Sequence, residues 1–411
     1  MASYGMNLNL APVVDLANDP DSAHVGGRSY GATPSEAAPY FFAHIQGLQR
    51  HVLATAKHFP SIGGSHVDLH LHLGRNDSPL ERLEDMELAP GRSAVEANVE
   101  VIMTSHQIYS AIEDCPGTLS HEMLNGWLRK KYGFKGIIIS DCMEMKALAA
   151  YCPTPEGCVR GVEAGVDLFL ICHTESIQIE SAQALLKAVI DGRISENRLD
   201  ESVNRILQAK HRAVKQGIER QDPFTTPRFV ANRKLTQDIC ESSLTLEGDS
   251  GFFRIREQDK VLVVAPPPVA LTMVDTIVDG SEEAKRDLIA AVTQAFPAVD
   301  GLRYSLPLSK DEQELLLEAV RSGRYTKIMV AVYNAHMDEG QRMMMEQFLA
   351  SKVPVGVMAL RSPFDVRWCG RAAARLICYE YTPSMVRAII RLLRGEIRAN
   401  GKLPLEIERI S

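Results

Sequence analysis

The sequence predicts an α/β protein with two domains. Short apolar runs alternate with helical patterns along the first 215 residues, and the alternation starts again near residue 260. These runs are apolar on both faces, which is typical of strands in a parallel sheet that helices cover on both sides. A length of 411 residues fits two or three domains of ~100–200 residues each. The pattern of the first half indicates either a (β/α) barrel or a doubly wound sheet.

Five strands are predicted in the first domain, with helices between them. The strands are Asn7–Val14, Val52–Lys57, Val101–Thr104, Gly136–Ser140 and Val166–Ile171. A first helix begins at Thr33 and should end near Arg50, because Thr33-Pro34-Ser35-Glu36 forms a capping box with proline at the first helical position. Further helices are predicted at Leu83–Ala97, His121–Lys131, Pro155–Ala164, Ser176–Ile190 and Glu201–Val214.

A polar linker is predicted at residues 215–232, between a first domain of residues 1–214 and a second of residues 233–411. The stretch contains two prolines and lacks apolar periodicity. A helix near Arg233–Thr245 opens the second domain. Its strands are predicted at Lys260–Ala265, Lys327–Val332, Pro354–Ala359 and Arg375–Tyr379, and its other helices at Ser281–Ala295, Lys310–Ser322, Gly340–Ala350 and Ser384–Leu393.

The composition excludes several classes of protein. A net charge of −7 disfavours binding to nucleic acid through bulk charge. No apolar run reaches the ~18 residues of a membrane-spanning helix, and the N-terminus lacks the pattern of a signal peptide. The eight cysteines include no C-x-x-C pair, which favours reduced thiols in the cytoplasm over a disulfide framework or a zinc ribbon.

The first group of chemically active side chains follows the second predicted strand. Lys57 and His58 stand at the end of that strand, where they can hydrogen-bond a polar substrate. A glycine-containing loop then carries Asp68 and His70, and an aspartate that accepts the N–H of a histidine makes it a proton shuttle. The simpler interpretation is a solvated histidine-rich loop. A metal site is a second alternative, although no spacing here is diagnostic of one.

The second group surrounds Asp141, which directly follows the apolar strand Gly136–Ser140. A carboxylate at this end of a barrel strand can act as a nucleophile or stabilise positive charge. An aspartate there could also simply cap the next helix. Arg28, after paired glycines, could bind a substrate oxygen or form a surface ion pair. Cys142 is expected to be a small apolar residue.

In this order, the motifs resemble glycoside hydrolase family 3, specifically its bacterial-type β-N-acetylglucosaminidase branch. The first half reads NLNLAPVVDL, GGRSYG, ATAKHFP, VIMTSHQIY, LRKKYGFKGIIISDCMEM and GVEAGVDLFLIC, and the second half contains LRSPFD and a closing GKLP. The resemblance covers nearly the whole chain. It implies a (β/α)8 TIM-barrel-like first domain and a second domain that is an α/β sandwich.

The resemblance also implies roles for single residues. Asp141 corresponds to the family nucleophile, which forms a covalent glycosyl-enzyme intermediate with retention of configuration. His70, oriented by Asp68, corresponds to the acid/base. Sugar contacts are implied for Lys57, His58 and Arg28, and, on weaker similarity, pocket-lining positions for His106 and Met145. No cofactor is implied, and the expected substrate is a glycoside or small oligosaccharide that contains N-acetylglucosamine.

The sequence departs from the family pattern in two places. Ser61 and Ile62 stand where the family usually has glycine and histidine, and Leu69 replaces the usual serine between Asp68 and His70. Family members also carry about two more strand–helix units before the equivalent of Asn7, including an acidic-Gly-Gly-Arg motif that binds the sugar. We therefore expect a barrel that lacks its first units, which a partner chain or a further N-terminal segment would complete.

Four functions follow from these observations. The first is a retaining exo-β-N-acetylglucosaminidase. The second is a glycoside phosphorylase that uses the same residues, because a neutral imidazole repels phosphate less than a second carboxylate would. The third is a weakly active or inactive sugar-binding paralogue. The fourth is a β-glucosidase, which the Asp-x-His loop disfavours because that branch takes its acid/base from the second domain.

Overall fold

The structure, a computed structural model, describes residues 1–2, 5–22, 25–64, 73–215, 227–268, 287–404 and 406–408. The predicted dyad of Asp68 and His70 therefore lies outside the described residues. The chain divides into two units, Met1–Pro223 and Phe224–Ser411. Every helix that the structure describes is too short or too polar to span a lipid bilayer.

Unit 1 contains a five-stranded parallel sheet, curled as half of a barrel, which confirms the predicted barrel-like α/β fold. The strands of unit 1, which form this sheet and a smaller one, are β1 Leu8–Asn9, β2 Leu53–Phe59, β3 Arg75–Asn76, β4 Val101–Thr104, β5 Ile108–Tyr109, β6 Glu113–Pro116, β7 Ile137–Cys142 and β8 Leu168–Leu170. The curled sheet has the order β1-β2-β4-β7-β8, and a small second sheet has the order β3-β5-β6. A partner chain that completes the barrel stays a prediction.

Strand β1 is much shorter than the predicted Asn7–Val14. Pro12 has no N–H to donate to a ladder of hydrogen bonds, so regular pairing ends before it. Single contacts replace the ladder: the N–H of Lys57 donates to the carbonyl of Pro12 at 3.0 Å, and the N–H of Val14 donates to the carbonyl of Lys57 at 2.6 Å. The chain therefore still runs beside β2 and delivers Asp15 to the end of that strand.

The helices of unit 1 follow the predicted alternation, except that one predicted helix is divided, the short helix Lys146–Tyr151 was not predicted, and the last helix begins at Glu196 and not at Glu201. They are α1 Pro34–Leu48, α2 Leu80–Asp85, α3 Ala89–Glu96, a π-helix Glu122–Lys131, α4 Lys146–Tyr151, α5 Thr154–Ala164, α6 Glu175–Ile190 and α7 Glu196–Lys215. The capping box at Thr33 is present in full. The single helix predicted over Leu83–Ala97 is wrong, because Pro90 lies in the first turn of α3 and cannot donate an N–H inside a continuous helix.

Two apolar clusters bury the two faces of the curled sheet. Ile102 and Ile138 belong to the cluster that packs against α1, α3 and the π-helix. Met103 and Ile139, the next residues along the same strands, belong to the cluster that contains Ala209 of α7. Successive strand residues point to opposite faces, so both faces must be apolar when both are covered. This is why the strands read as continuous apolar runs.

Unit 2 contains a six-stranded sheet with the order β11-β10-β12-β13-β14-β9, in which only β9 is antiparallel to its neighbour. The strands are β9 Thr245–Gly248, β10 Val261–Ala265, β11 Asp300–Arg303, β12 Lys327–Val332, β13 Val355–Ala359 and β14 Ala374–Ile377. The four strands predicted from the sequence are present. The strands β9 and β11 were not predicted, since each is short, only partly buried and lies at an edge of the sheet.

The helices of unit 2 are α8 Pro227–Ser243, α9 Leu288–Ala295, α10 Lys310–Arg321, α11 Glu339–Leu349 and α12 Pro383–Arg394. Helix α8 begins before the predicted Arg233, so residues 227–232 of the predicted linker are helical, and residues 216–226 of it lie outside the described residues. Proline in the first position of α8 explains this start, because its fixed φ suits a first helical turn. Of the helix predicted over Ser281–Ala295, residues 281–286 lie outside the described residues, and helix α9 begins at Leu288, after an N-cap at Asp287.

Candidate active site

Polar side chains of unit 1 gather at the carboxyl ends of β2, β4 and β7. These strands are parallel neighbours, so their ends meet at one edge of the sheet. Lys57 and His58 lie near the end of β2, His106 follows β4, and Asp141 is the penultimate residue of β7. Active sites of barrel-type α/β proteins lie at this edge.

Asp141 is a half-buried carboxylate whose side chain is 28% exposed. Its Oδ1 accepts a hydrogen bond from the N–H of Cys142 at 2.7 Å, and its Oδ2 lies 3.4 Å from Nε2 of His58. Burial opposes ionisation, but the hydrogen bond and charge of His58, with the charge of His106, outweigh it and lower the pKa of Asp141 well below its usual value. An ionised, partly exposed carboxylate can attack an electrophilic carbon or stabilise a cation.

His58 bridges Asp141 to a second, fully buried carboxylate, that of Asp15. The Nδ1 atom of His58 lies 2.7 Å from Oδ2 of Asp15, whose side chain is 1% exposed. Burial and the two carboxylates act in opposite directions on His58, and the carboxylates prevail, so the pKa of His58 is raised. Burial also opposes ionisation of Asp15, but the charge and hydrogen bond of His58 lower the pKa of Asp15 overall.

Lys57 and Arg28 add positive charge beside these carboxylates. Arg28 is the last residue of a short 3₁₀ turn, Gly26–Arg28. Burial lowers the pKa of Lys57 and the charge of Arg28 lowers it further, while Asp141 and Asp15 act in the opposite direction. Two cations thus lie near two carboxylates. Such an arrangement offers donors and acceptors to a ligand rich in hydroxyl groups.

His106 is fixed by hydrogen bonds to its neighbours on both sides. Its Nε2 lies 3.1 Å from the carbonyl oxygen of Cys142, which must accept, and its Nδ1 lies 2.7 Å from Oγ1 of Thr118. Thr118 is itself buried and 2.7 Å from Oγ1 of Thr104, at the end of β4. The ring is therefore held against the residue that follows Asp141.

The structure brings together Lys57, His58, His106 and Asp141, and it places Arg28 close to Lys57. Met145 lies half-buried in the turn after β7, where its N–H donates to the carbonyl of Cys142 at 3.1 Å. None of the contacts found among the described residues joins the Met145 side chain to Asp141. The roles predicted for these residues, and for Asp68 and His70 in the undescribed loop, stay predictions.

Two residues of the site were missed from the sequence. Asp15, like Asp141, is a carboxylate that follows an apolar run. The local pattern that pointed to Asp141 was therefore available for Asp15 as well. Thr118 lies in a short 3₁₀ turn, Gly117–Leu119, and carries no signal, because its partners His106 and Thr104 meet it only in the folded chain.

The fold and site define an α/β protein of the barrel type, with a polar centre at the carboxyl edge of its parallel strands. The chain belongs to glycosyl hydrolase family 3, since residues 1–209 match the family model described as Glycosyl hydrolase family 3 N terminal domain. This confirms the resemblance inferred from the motifs.

Individual relatives agree with this assignment. A glycoside hydrolase family 3 β-N-acetylglucosaminidase from a Paenibacillus species is 33% identical, with a TM-score of 0.88, and the match covers 99% of this chain and 77% of that one. A β-hexosaminidase of Tolumonas auensis is 34% identical over 178 residues, which are 43% of this chain and 53% of the relative. β-Hexosaminidase A of Pseudoalteromonas piscicida is 23% identical over 285 residues, 64% of this chain and 48% of the relative. The matches to these two curated relatives span about half of their length.

Proposed function

We propose that the protein is a retaining exo-acting β-N-acetylglucosaminidase that removes terminal N-acetylglucosamine from glycosides or small oligosaccharides. The observation that carries the proposal is the state of Asp141, an ionised and partly exposed carboxylate at the carboxyl edge of the sheet, flanked by cationic side chains. The names of the relatives, β-hexosaminidase and β-N-acetylglucosaminidase, support this choice of substrate.

In the proposed mechanism, Asp141 attacks the anomeric carbon and forms a glycosyl ester, and water then releases the sugar with retained configuration. His70, oriented by Asp68, gives a proton to the leaving oxygen and later takes one from the attacking water. Lys57, His58 and Arg28 hold the sugar hydroxyls. The reaction needs a carboxylate and a proton shuttle, so the proposal includes no cofactor.

We also propose a reducing, cytoplasmic location. All eight cysteines are unpaired, and several of them are buried. Free buried thiols are typical of proteins that fold in a reducing compartment.

The first experiment measures release of p-nitrophenol from its N-acetyl-β-glucosaminide by the full chain. Asp141→Asn keeps the size of the side chain and removes the nucleophile, so the rate should fall by about three orders of magnitude or more. Asp191→Asn is the matched control, because Asp191 is an exposed residue at the end of α6 that pairs with Lys187. A fully active Asp141→Asn protein would show that Asp141 is not the nucleophile.

A second experiment separates the proposed hydrolase from the alternatives. Proton NMR during turnover should show the β-anomer of N-acetylglucosamine before mutarotation, as retention requires. Accumulation of a sugar 1-phosphate in phosphate buffer would establish phosphorolysis instead. Binding of N-acetylglucosamine without any turnover would identify a sugar-binding protein.

A further inference from the structure

We propose that Asp15 is a positioning residue that holds His58 as an imidazolium ion, with its Nε2–H directed at Asp141. The effect on catalysis rests on the proposed role of Asp141. The charge and orientation of His58 do not depend on that role, and they can be measured even on a protein that turns over no substrate.

The argument starts from the protons that the His58 ring has available. Its Nδ1 faces Oδ2 of Asp15 at 2.7 Å, and its Nε2 faces Oδ2 of Asp141 at 3.4 Å. An ionised carboxylate only accepts hydrogen bonds, and a neutral imidazole carries a single N–H. A neutral ring would therefore turn a lone pair toward one of the two carboxylates. A ring protonated on both nitrogens presents an N–H to each carboxylate.

The contacts of Asp15 show why it is the fixed member of the pair. Its Oδ1 accepts hydrogen bonds from the backbone N–H of His58 at 3.2 Å and from that of Ile62 at 2.9 Å. Its Oδ2 faces Nδ1 of the His58 ring. A buried carboxylate needs such partners to remain ionised. Asp15 thus holds the backbone and the ring of His58 together, which sets the direction of Nε2. Asp141, by comparison, is partly exposed and free to react.

The other charged groups of the cluster act on the same carboxylates. The charge of Asp141 and that of Asp15 both act on Lys57, and Arg28 acts on Asp15 and on Lys57. Within the part of the chain that the structure describes, the basic groups that act on the carboxylates of this cluster are Lys57, Arg28, His58 and His106. Positive charge on these groups favours ionised carboxylates on both sides of the ring.

This arrangement has a consequence for the proposed reaction. When Asp141 becomes a glycosyl ester it loses its negative charge, and His58 loses one of its two anionic neighbours. Asp15 keeps its charge throughout, so the buried imidazolium never stands without a partner, a state that would be strongly unfavourable. His58 can then stabilise the carboxylate again as it leaves the sugar.

The test uses the full chain labelled with ¹⁵N and long-range ¹H–¹⁵N spectra of the histidine rings. The His58 signals are assigned by their loss in His58→Gln. At pH 7 an ordinary histidine, with a pKa of about 6.5, is mostly neutral. We expect His58 to show two protonated ring nitrogens at this pH. A neutral His58 ring in the wild-type protein would overturn the proposal.

Asp15→Asn supplies the second measurement. The amide can still accept the two backbone hydrogen bonds, but its N–H₂ group faces Nδ1 and favours a neutral ring. The His58 titration should shift down by at least about one pH unit, and the acid limb of kcat/KM should shift up because Asp141 loses a cationic neighbour. Asp167→Asn is the control, because Asp167 is a buried carboxylate that directly precedes β8. It should lower stability without moving either titration, and an unchanged His58 titration in Asp15→Asn would overturn the proposal.

Discussion

The coupled charges of Asp15 and His58 predict a specific dependence of stability on pH. The perturbation is the double variant His58→Gln with Asp15→Asn, which removes the buried cation and the buried carboxylate together. A single variant would leave the other group buried without its nearest charged partner, and the titration of that group would obscure the comparison. The quantity of interest is the free energy of unfolding of the wild type minus that of the double variant, measured across pH.

The sign of the effect follows from the two pKa shifts. The pKa of His58 is raised in the folded protein, so its contribution is complete below about pH 6.5 and is lost as the pH rises toward the folded value. The pKa of Asp15 is lowered, so its contribution is complete above about pH 4 and is lost as the pH falls. The difference should therefore be largest between about pH 4 and pH 6.5.

The magnitude of the alkaline limb follows from one proton. Between the unfolded and folded pKa values of His58, the folded state binds one proton more than the unfolded state. The difference should then fall by about 1.4 kcal/mol per pH unit. Urea denaturation of both proteins at half-unit steps from pH 5 to pH 8.5 measures it. A difference that stays constant above pH 6.5 would refute the claim that Asp15 and Asp141 hold the ring protonated.

Two further predictions concern the frame around the site. Gly63→Ala should strongly destabilise unit 1, because an added Cβ would lie 1.9 Å from the carbonyl oxygen of Leu16. Gly64→Ala is the control and should be tolerated, since the nearest atom to its added Cβ is 3.4 Å away. Equal melting temperatures of the two variants in thermal unfolding would contradict the prediction. Asp167→Ala should lower the free energy of unfolding by about 3–5 kcal/mol. The buried carboxylate accepts a hydrogen bond from Arg129 at 2.6 Å and further hydrogen bonds from other donors around it, all of which would lose their acceptor. A loss below ~1 kcal/mol in the free energy of unfolding, measured by urea denaturation, would contradict this.

The fold was predictable where local sequence decides the structure. Buried parallel strands need apolar residues on both faces, so runs such as Val101–Thr104 and Lys327–Val332 have the bounds that the sequence indicates. The helix start at Thr33 was readable because all partners of a capping box lie within four residues. The edge strand Asp300–Arg303 was not readable, because its residues are exposed or only half-buried and its pattern is that of a surface loop.

The sequence did not reveal Asp15 as a residue of the site, because its role depends on which element lies opposite. An apolar run followed by an aspartate occurs at Val13-Val14-Asp15 and again at Ile138-Ile139-Ser140-Asp141. The two aspartates end in different environments, since the side chain of Asp15 is 1% exposed and that of Asp141 is 28% exposed. Asp15 is enclosed by the turn after β2, whose Ile62 N–H it accepts across 47 positions of sequence. Burial by a distant segment therefore separates a carboxylate that can position a histidine from one that can react, and nothing in the neighbouring sequence of either residue encodes that difference.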